Sequence, residues 1–369
     1  RRTMIGIRCF FAVTLTLVLS SVSALAAESR TLIMGLWPNQ LRLLDESTEE
    51  FVGEIRLRYG AVTGYGRTPH TPDFRRLYYI TDRMEAVEVV DPEARQVVDE
   101  LRLSTAARRV RILNVYPHPG GTELILRVVA VGMDIDRFET EDTEYVVYDL
   151  NAHQVKGSFR LPPEVRTNFT DPLPFSSDGK TFFAFGRDIY ELSASTYEVV
   201  SRIALATPRE AGYGALRSAE LYSPEPGIYY GLVTSTDPFL KKQMTGVLRL
   251  DLGQRTASSF EVGPKVDANV FALSPDGKTG YAGVKDLVKI DMESRRIVAM
   301  KKGFLQGRAA STLILSADGT KLFVTGIGDV IQVVNAESLE LKRTIQLGRD
   351  LMANPLPLPA EMRPTSVSK

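Results

Sequence analysis

Strong metal ligands and soft nucleophiles are scarce in this 369-residue chain, which has three histidines and one cysteine. His70, His118 and His153 are too scattered for a metal site to be read from their spacing. Cys9 sits in an apolar N-terminal run, so beyond it no disulfide, thiolate ligand or cysteine nucleophile is expected. No GxSxG elbow, HExxH pair or P-loop occurs, and no residue is assigned a catalytic role. Gly64-Tyr65-Gly66-Arg67 and Gly326-Ile327-Gly328 are loop glycines between strand-like runs. No helix follows to complete a phosphate cradle. The acidic stretch holding Asp134, Asp136, Glu139, Glu141, Asp142 and Glu144 is either a site for a cation or basic partner, or a solvated loop. Tyr65, His70 and Tyr213 fall in long connections, where they either line a pocket or dock a partner, or pack on their own loops. His118 lies in a tight turn and reads as structural. Trp37 follows a strand and reads as core or rim.

The elements that hold these residues repeat. The turn Ser274-Pro275-Asp276-Gly277-Lys278 recurs as Ser177-Asp178-Gly179-Lys180 and Ser316-Ala317-Asp318-Gly319-Thr320. Weaker copies stand at Pro72-Asp73-Phe74-Arg75, His118-Pro119-Gly120-Gly121 and Ser223-Pro224-Glu225-Pro226-Gly227. Asp-Gly at such a site supplies a turn with a φ > 0 position. A second signature, an apolar run ending in Asp or Asn, closes at Asp91, Asp149, Asp251, Asp291 and Asn335. The turns recur at intervals of about 42 to 50 residues, the period of a four-stranded propeller blade. The fold expected is all-β: a seven-bladed β-propeller of four-stranded antiparallel blades, strands A to D in each.

No A strand precedes Thr31–Leu36 in blade 1, so a C-terminal strand is expected to close the ring. Residues 352–359 are favoured over 363–367. Pro355, Pro357 and Pro359 share one parity, which suits the free inner edge of a sheet. In such a meander the A–B and C–D turns emerge on one face and the B–C and D–A connections on the other. The variable connections 60–71, 104–112, 162–171 and 206–218 and the insertions 132–144 and 235–246 all belong to the second face, where binding is expected.

Charge is balanced, 45 basic against 45 acidic residues, which argues against a nucleic-acid partner. Arg1, Arg2 and Arg8 precede an apolar run and Ala24-Leu25-Ala26, the pattern of a cleaved secretory signal. Residues 1–27 are therefore expected to be a signal peptide, 28–360 the propeller and 361–369 a tail, with the mature chain in the periplasm.

The repeat resembles the YVTN-type propellers of bacterial periplasmic proteins, and the chain is similar to the propeller (beta) subunit of quinohaemoprotein amine dehydrogenase. The likeness spans nearly all of the chain after the signal. It rests on Leu103-Ser104-Thr105 with Arg109-Val110, the long insertion ending Tyr148-Asp149, and Phe185-Gly186-Arg187-Asp188-Ile189. Further matches are Thr245-Gly246-Val247-Leu248 with Asp251-Leu252, and Gly328-Asp329 with Ala336-Glu337-Ser338-Leu339-Glu340. The turn Pro117-His118-Pro119-Gly120-Gly121 and the segment beyond Pro359 depart from it. The resemblance implies a subunit without a prosthetic group of its own. It would scaffold a small subunit carrying cysteine tryptophylquinone and a cytochrome c subunit carrying haem. The rival readings are a stand-alone periplasmic propeller that binds a ligand or protein, and a propeller hydrolase.

Overall fold

The computed structural model describes residues 29–60, 68–133, 136–165, 167, 172–205, 217–237, 239, 241–304, 310–326 and 328–362. Its strands form seven antiparallel sheets that follow the chain in order. The molecule is a seven-bladed β-propeller. Blade 1 pairs strand B (Thr31–Leu36) with C (Gln40–Asp45) and D (Phe51–Arg56), and its A strand is the C-terminal Leu351–Leu358. Ile33 lies opposite Leu356 and Leu32 opposite Pro357. The closing strand sits at the sheet edge, so Pro355 and Pro357 break no ladder on its outer side. Beyond it, a 3-10 turn, Ala360–Met362, buries Met362 between blades 1 and 2, so the propeller core reaches into the segment expected to be tail.

Five blades have four full strands; blades 2 and 4 have three. There the A strand shrinks to one bridge, His70 with Leu77 and Phe175 with Phe182. Pro69 and Pro72 flank the first, and Pro172 and Pro174 precede the second, so donors for a longer ladder are missing.

The core consists of seven apolar clusters, one per blade–blade seam. Strand alternation splits each inner strand between its two neighbours. Phe182 and Ala184 pack toward blade 3, whereas Phe183 and Phe185 pack toward blade 5. Leu32, Met34 and Leu36 meet blade 7, while Ile33 meets blade 2. Burial on both faces explains why these strands read as continuous apolar runs. Each fully buried Phe or Leu contributes about 2–3 kcal/mol of transfer free energy.

The A–B turns share a hydrogen-bond network. In blade 6, Ser274 Oγ donates to Asp276 at 2.6 Å, the Lys278 N–H donates to Asp276 at 3.0 Å, and the Thr279 N–H donates to Ser274 Oγ at 2.8 Å. The same set recurs at Ser176/Asp178/Thr181 and Ser316/Asp318/Lys321. Blade 2 copies it with Thr71, Asp73 and Arg76, and Phe74 takes the left-handed position that Gly holds elsewhere (φ 57°). Gly179 must be glycine for a second reason: a Cβ there would lie 2.5 Å from the His118 ring of blade 3. His118 is structural, as expected; it accepts from the Gly120 N–H at 3.0 Å and packs edge-on against Phe175.

The C–D turns repeat in all seven blades. Asp45, Asp91, Asp149, Ser193, Asp251, Asp291 and Asn335 each accept backbone N–H groups two or three residues on. Four residues after each stands a non-glycine residue with φ between 50° and 61°: Glu49, Arg95, His153, Tyr197, Arg255, Arg295 and Leu339. That conformation costs roughly 1–2 kcal/mol. In every blade this residue reaches the preceding blade. Glu49 binds Lys321 at 2.8 Å; Arg95 lies against Gly53, where a Cβ would come within 2.9 Å; His153 stands 3.9 Å from Asp99. Tyr197 stacks on Phe159 with centroids 3.9 Å apart, Arg255 grips Glu191 at 2.6 and 2.7 Å, Arg295 covers the Phe260 ring, and Leu339 joins the cluster of Tyr281 and Leu287. Local strain is thus exchanged for a seam contact, seven times.

Candidate protein-docking face

The B–C and D–A connections open on the face opposite these turns, and the blades are unequal there. Strand B of blade 3 (Glu123–Met133) runs to eleven residues, and a short strand, Phe138–Thr140, folds back onto its end. All four strands of blade 5 are nine residues long, against five in each of the three strands of blade 4. Residues 132–133, 138–140 and 144 of the first insertion and 235–236 and 243–246 of the second are therefore continuations of paired strands that rise above the ring.

Each tip holds a large apolar side chain in solvent. Phe138 is 77% exposed and Phe239 is 89% exposed. Burying either would be favourable by about 1.5–3 kcal/mol. The blade-5 tip is shaped by Asp237: the Phe239 N–H donates to its carboxylate at 2.7 Å, and the Lys241 N–H donates to its carbonyl at 3.0 Å, with Lys241 left-handed (φ 53°). This turn holds Phe239 outward. At the blade-3 hairpin, Arg108 clamps Glu141 at 2.7 and 2.8 Å and Glu144 at 2.8 Å, and Arg160 meets Asp142 at 3.2 Å. The Arg108 hydrogen bond holds the Glu141 carboxyl below its ordinary range. Asp136 and Glu139, nearer the tip, have no ion pair among the described residues. Trp37, in the short B–C connection of blade 1, is half-exposed on the same face.

Blade 2 contributes a third feature. Asp82, Arg83 and Met84 are consecutive left-handed residues (φ 49°, 55° and 74°) in its B–C connection. Arg102 meets Asp82 at 2.8 Å and Glu100 at 2.7 Å while lying over the Tyr59 ring, and Arg109 meets Glu85 at 2.6 Å. Partial burial would raise the Glu100 pKa, but hydrogen bonds from Arg102 and Tyr59 pull it below the ordinary value. The network pins a turn that ordinary sterics disfavour and leaves Arg83 exposed.

His70 is not where the sequence reading put it. It occupies the vestigial A position of blade 2 at the A–B end, on the opposite face. Its Nδ1 lies 2.8 Å from the Thr71 carbonyl and its ring stacks on Phe74 at 4.0 Å. The connection ends earlier than expected because the Tyr78 N–H already pairs with Pro69. Tyr65 and Tyr213 lie outside the described residues. Phe138 and Phe239 escaped the sequence reading, although an aromatic residue in the middle of a polar hairpin insertion was a usable signal. Among the described residues no group of three or more His, Cys, Asp or Glu is placed to hold a metal ion, and no helix is long and apolar enough to cross a membrane.

The class defined by this architecture is the seven-bladed β-propeller with one structural and one elaborated face. No protein-family model matches the chain, nor does any curated protein. Matches among solved structures number 1210 chains, which fixes the fold and leaves the activity open. The dihydro-heme d1 dehydrogenase NirN, in complex with DHE, aligns over 89% of this chain and 74% of its own at 14% identity, TM-score 0.52. A functionally unknown protein from Desulfotomaculum acetoxidans aligns over 89% of this chain and 98% of its own at 12% identity, TM-score 0.53. Hydrazine synthase from Kuenenia stuttgartiensis aligns over 84% of this chain and 89% of its own at 16% identity, TM-score 0.47.

Proposed function

We propose that this chain is the non-catalytic propeller subunit of a periplasmic quinohaemoprotein amine dehydrogenase complex, which oxidatively deaminates primary amines. In this reading a small subunit carries the cysteine tryptophylquinone, a cytochrome c subunit carries haem, and the propeller holds both. One observation carries the docking part: seven near-identical turns make one face rigid and plain, while paired-strand hairpins raise exposed aromatic side chains on the other. The two hairpins stand where the amine dehydrogenase propellers have their insertions, and the N-terminal pattern suits export. The chemistry would belong to the partner's cofactor, and the propeller's contribution would be to exclude water and fix the quinone subunit in place. Tyr65 and Tyr213 are the proposed wall of that site. His70, on the opposite face, is not.

The test is isolation of the tagged chain from its own organism under mild conditions. The expected result is co-purification with one quinone-staining and one haem-staining polypeptide, and amine-dependent reduction of an artificial electron acceptor. Phe239→Ala should lower the yield of the complex, whereas Lys278→Ala, on the opposite face, should not. A chain that purifies without either polypeptide leaves the stand-alone binding propeller as the reading.

A further inference from the structure

The two raised tips are opposite in charge. Residues 132–144 carry six carboxylates against Arg137 alone, and the exposed Asp136 and Glu139 flank Phe138. Residues 235–246 carry Lys241 and Lys242 against Asp237, whose carboxylate is engaged by the Phe239 N–H. Both lysines are exposed and have no ion pair among the described residues. The tips belong to blades 3 and 5, one on each side of blade 4.

We propose that this face is self-complementary and that the free chain forms a face-to-face dimer through it. A two-fold axis lying in the plane of the face and passing through blade 4 turns one copy over onto the other. It sets blade 3 of each copy above blade 5 of its mate. The acidic Phe138 tip then meets the basic Phe239 tip, twice, as an isologous contact requires. The same operation carries Trp37 of blade 1 toward the blade-7 connection at Gly328 and Asp329 of the other copy. Both exposed phenylalanines leave water, and each finds a neighbour of opposite charge. An anionic bilayer fits less well, since carboxylates surround Phe138 and would be pushed against headgroups of the same sign. This goes beyond the docking reading above: a partner taking the same face would have to displace the second copy, so self-association covers the apolar tips until assembly.

Sedimentation velocity of the isolated chain tests it. The expected result is a dimer whose dissociation constant rises several-fold when NaCl is raised from about 50 to 500 mM, as screening weakens the paired tips. Phe138→Ala and Phe239→Ala should each weaken it by about tenfold or more. K241E/K242E makes both tips acidic; D136K/E139K, with Glu141 and Glu144 already held by Arg108 and Asp142 by Arg160, leaves the end around Phe138 basic like the blade-5 tip; each variant alone should be monomeric. An equimolar mixture of the two should dimerise, and so should a chain carrying all four changes. Circular dichroism melts of each variant separate loss of association from loss of fold. A monomer at high micromolar concentration overturns the proposal and leaves the docking reading untouched. A monomer that pellets with phosphatidylglycerol vesicles assigns the tips to a bilayer and overturns it equally. So does a dimer indifferent to all these changes, because its interface lies elsewhere.

Discussion

At the scale of single residues, the left-handed position of the C–D turns inverts the usual ranking of substitutions. Tyr197 takes φ 61° and stacks on Phe159 of blade 3. Removing the ring costs the stack, about 0.5–1.5 kcal/mol beyond its buried area. Alanine keeps the backbone penalty, roughly 1 kcal/mol, which glycine releases. Tyr197→Gly should therefore be less destabilising than Tyr197→Ala in urea unfolding, against the order found at ordinary strand positions; the reverse order would refute the strain account. The turn aspartates set an acid limit. Hydrogen bonds from Ser176 and Ser274 hold Asp178 and Asp276 below the ordinary value of 3.8, and N–H groups do the same for Asp291. A carboxyl with a lowered folded pKa contributes stability above its unfolded pKa and loses it as pH falls through the folded one. The urea midpoint should hold from pH 7 to about pH 5 and fall steadily below pH 4. Asp276→Asn should flatten part of that slope, and an unchanged slope would count against it.

At the scale of elements, the seam between blades 7 and 1 depends on two devices. One is the closing strand Leu351–Leu358. The other is Glu46, whose side chain is 4% exposed and accepts the Arg30 and Ala317 N–H groups at 3.0 Å each, besides the Arg30 guanidinium at 3.2 Å. Deleting residues 350–369 unpairs the inner edge of blade 1 and should sharply lower the melting temperature; an unchanged melt would show that the ring does not rely on this segment. Glu46→Ala leaves two part-buried donors without this acceptor and should cost about 1–3 kcal/mol. Glu293→Ala, at an exposed position of the blade-6 C–D turn, should fall within about 0.5 kcal/mol of the parent.

At the scale of the molecule, function divides between the faces. The A–B and C–D turns are spent on closing the seams between blades and leave little free chemistry. The opposite face carries the long hairpins, the strained turn of blade 2 and the exposed Trp37, Phe138 and Phe239. In a reconstituted complex, alanine at Phe138 or Phe239 should weaken assembly while the fold stays intact, and alanine at Lys180 should leave assembly unchanged. The opposite result would exchange the roles of the two faces.

The blade repeat is legible in the sequence, because Ser-x-Asp-Gly turns and apolar runs are local signals: hydrogen bonds within five residues, and burial of a strand on both faces. The sequence favoured residues 352–359 over 363–367 as the closing strand, since prolines of one parity suit an open sheet edge, and the pairing of Leu351–Leu358 with Thr31–Leu36 decides between them. It showed five of the seven C–D turns but not those at Asp45 and Ser193, and none of the left-handed residues after them. Glu, Arg, His, Tyr and Leu share no local preference for that conformation; contact with the preceding blade selects it. His70 was misplaced because one bridge to Leu77, invisible in the sequence, moves it from a connection to a sheet edge. The continuation of the polar insertions into paired strands at 132–133, 138–140, 235–236 and 243–246 comes from the folded sheet and has no local sequence signal. That pairing, made across the hairpins rather than along them, is what holds Phe138 and Phe239 out in water.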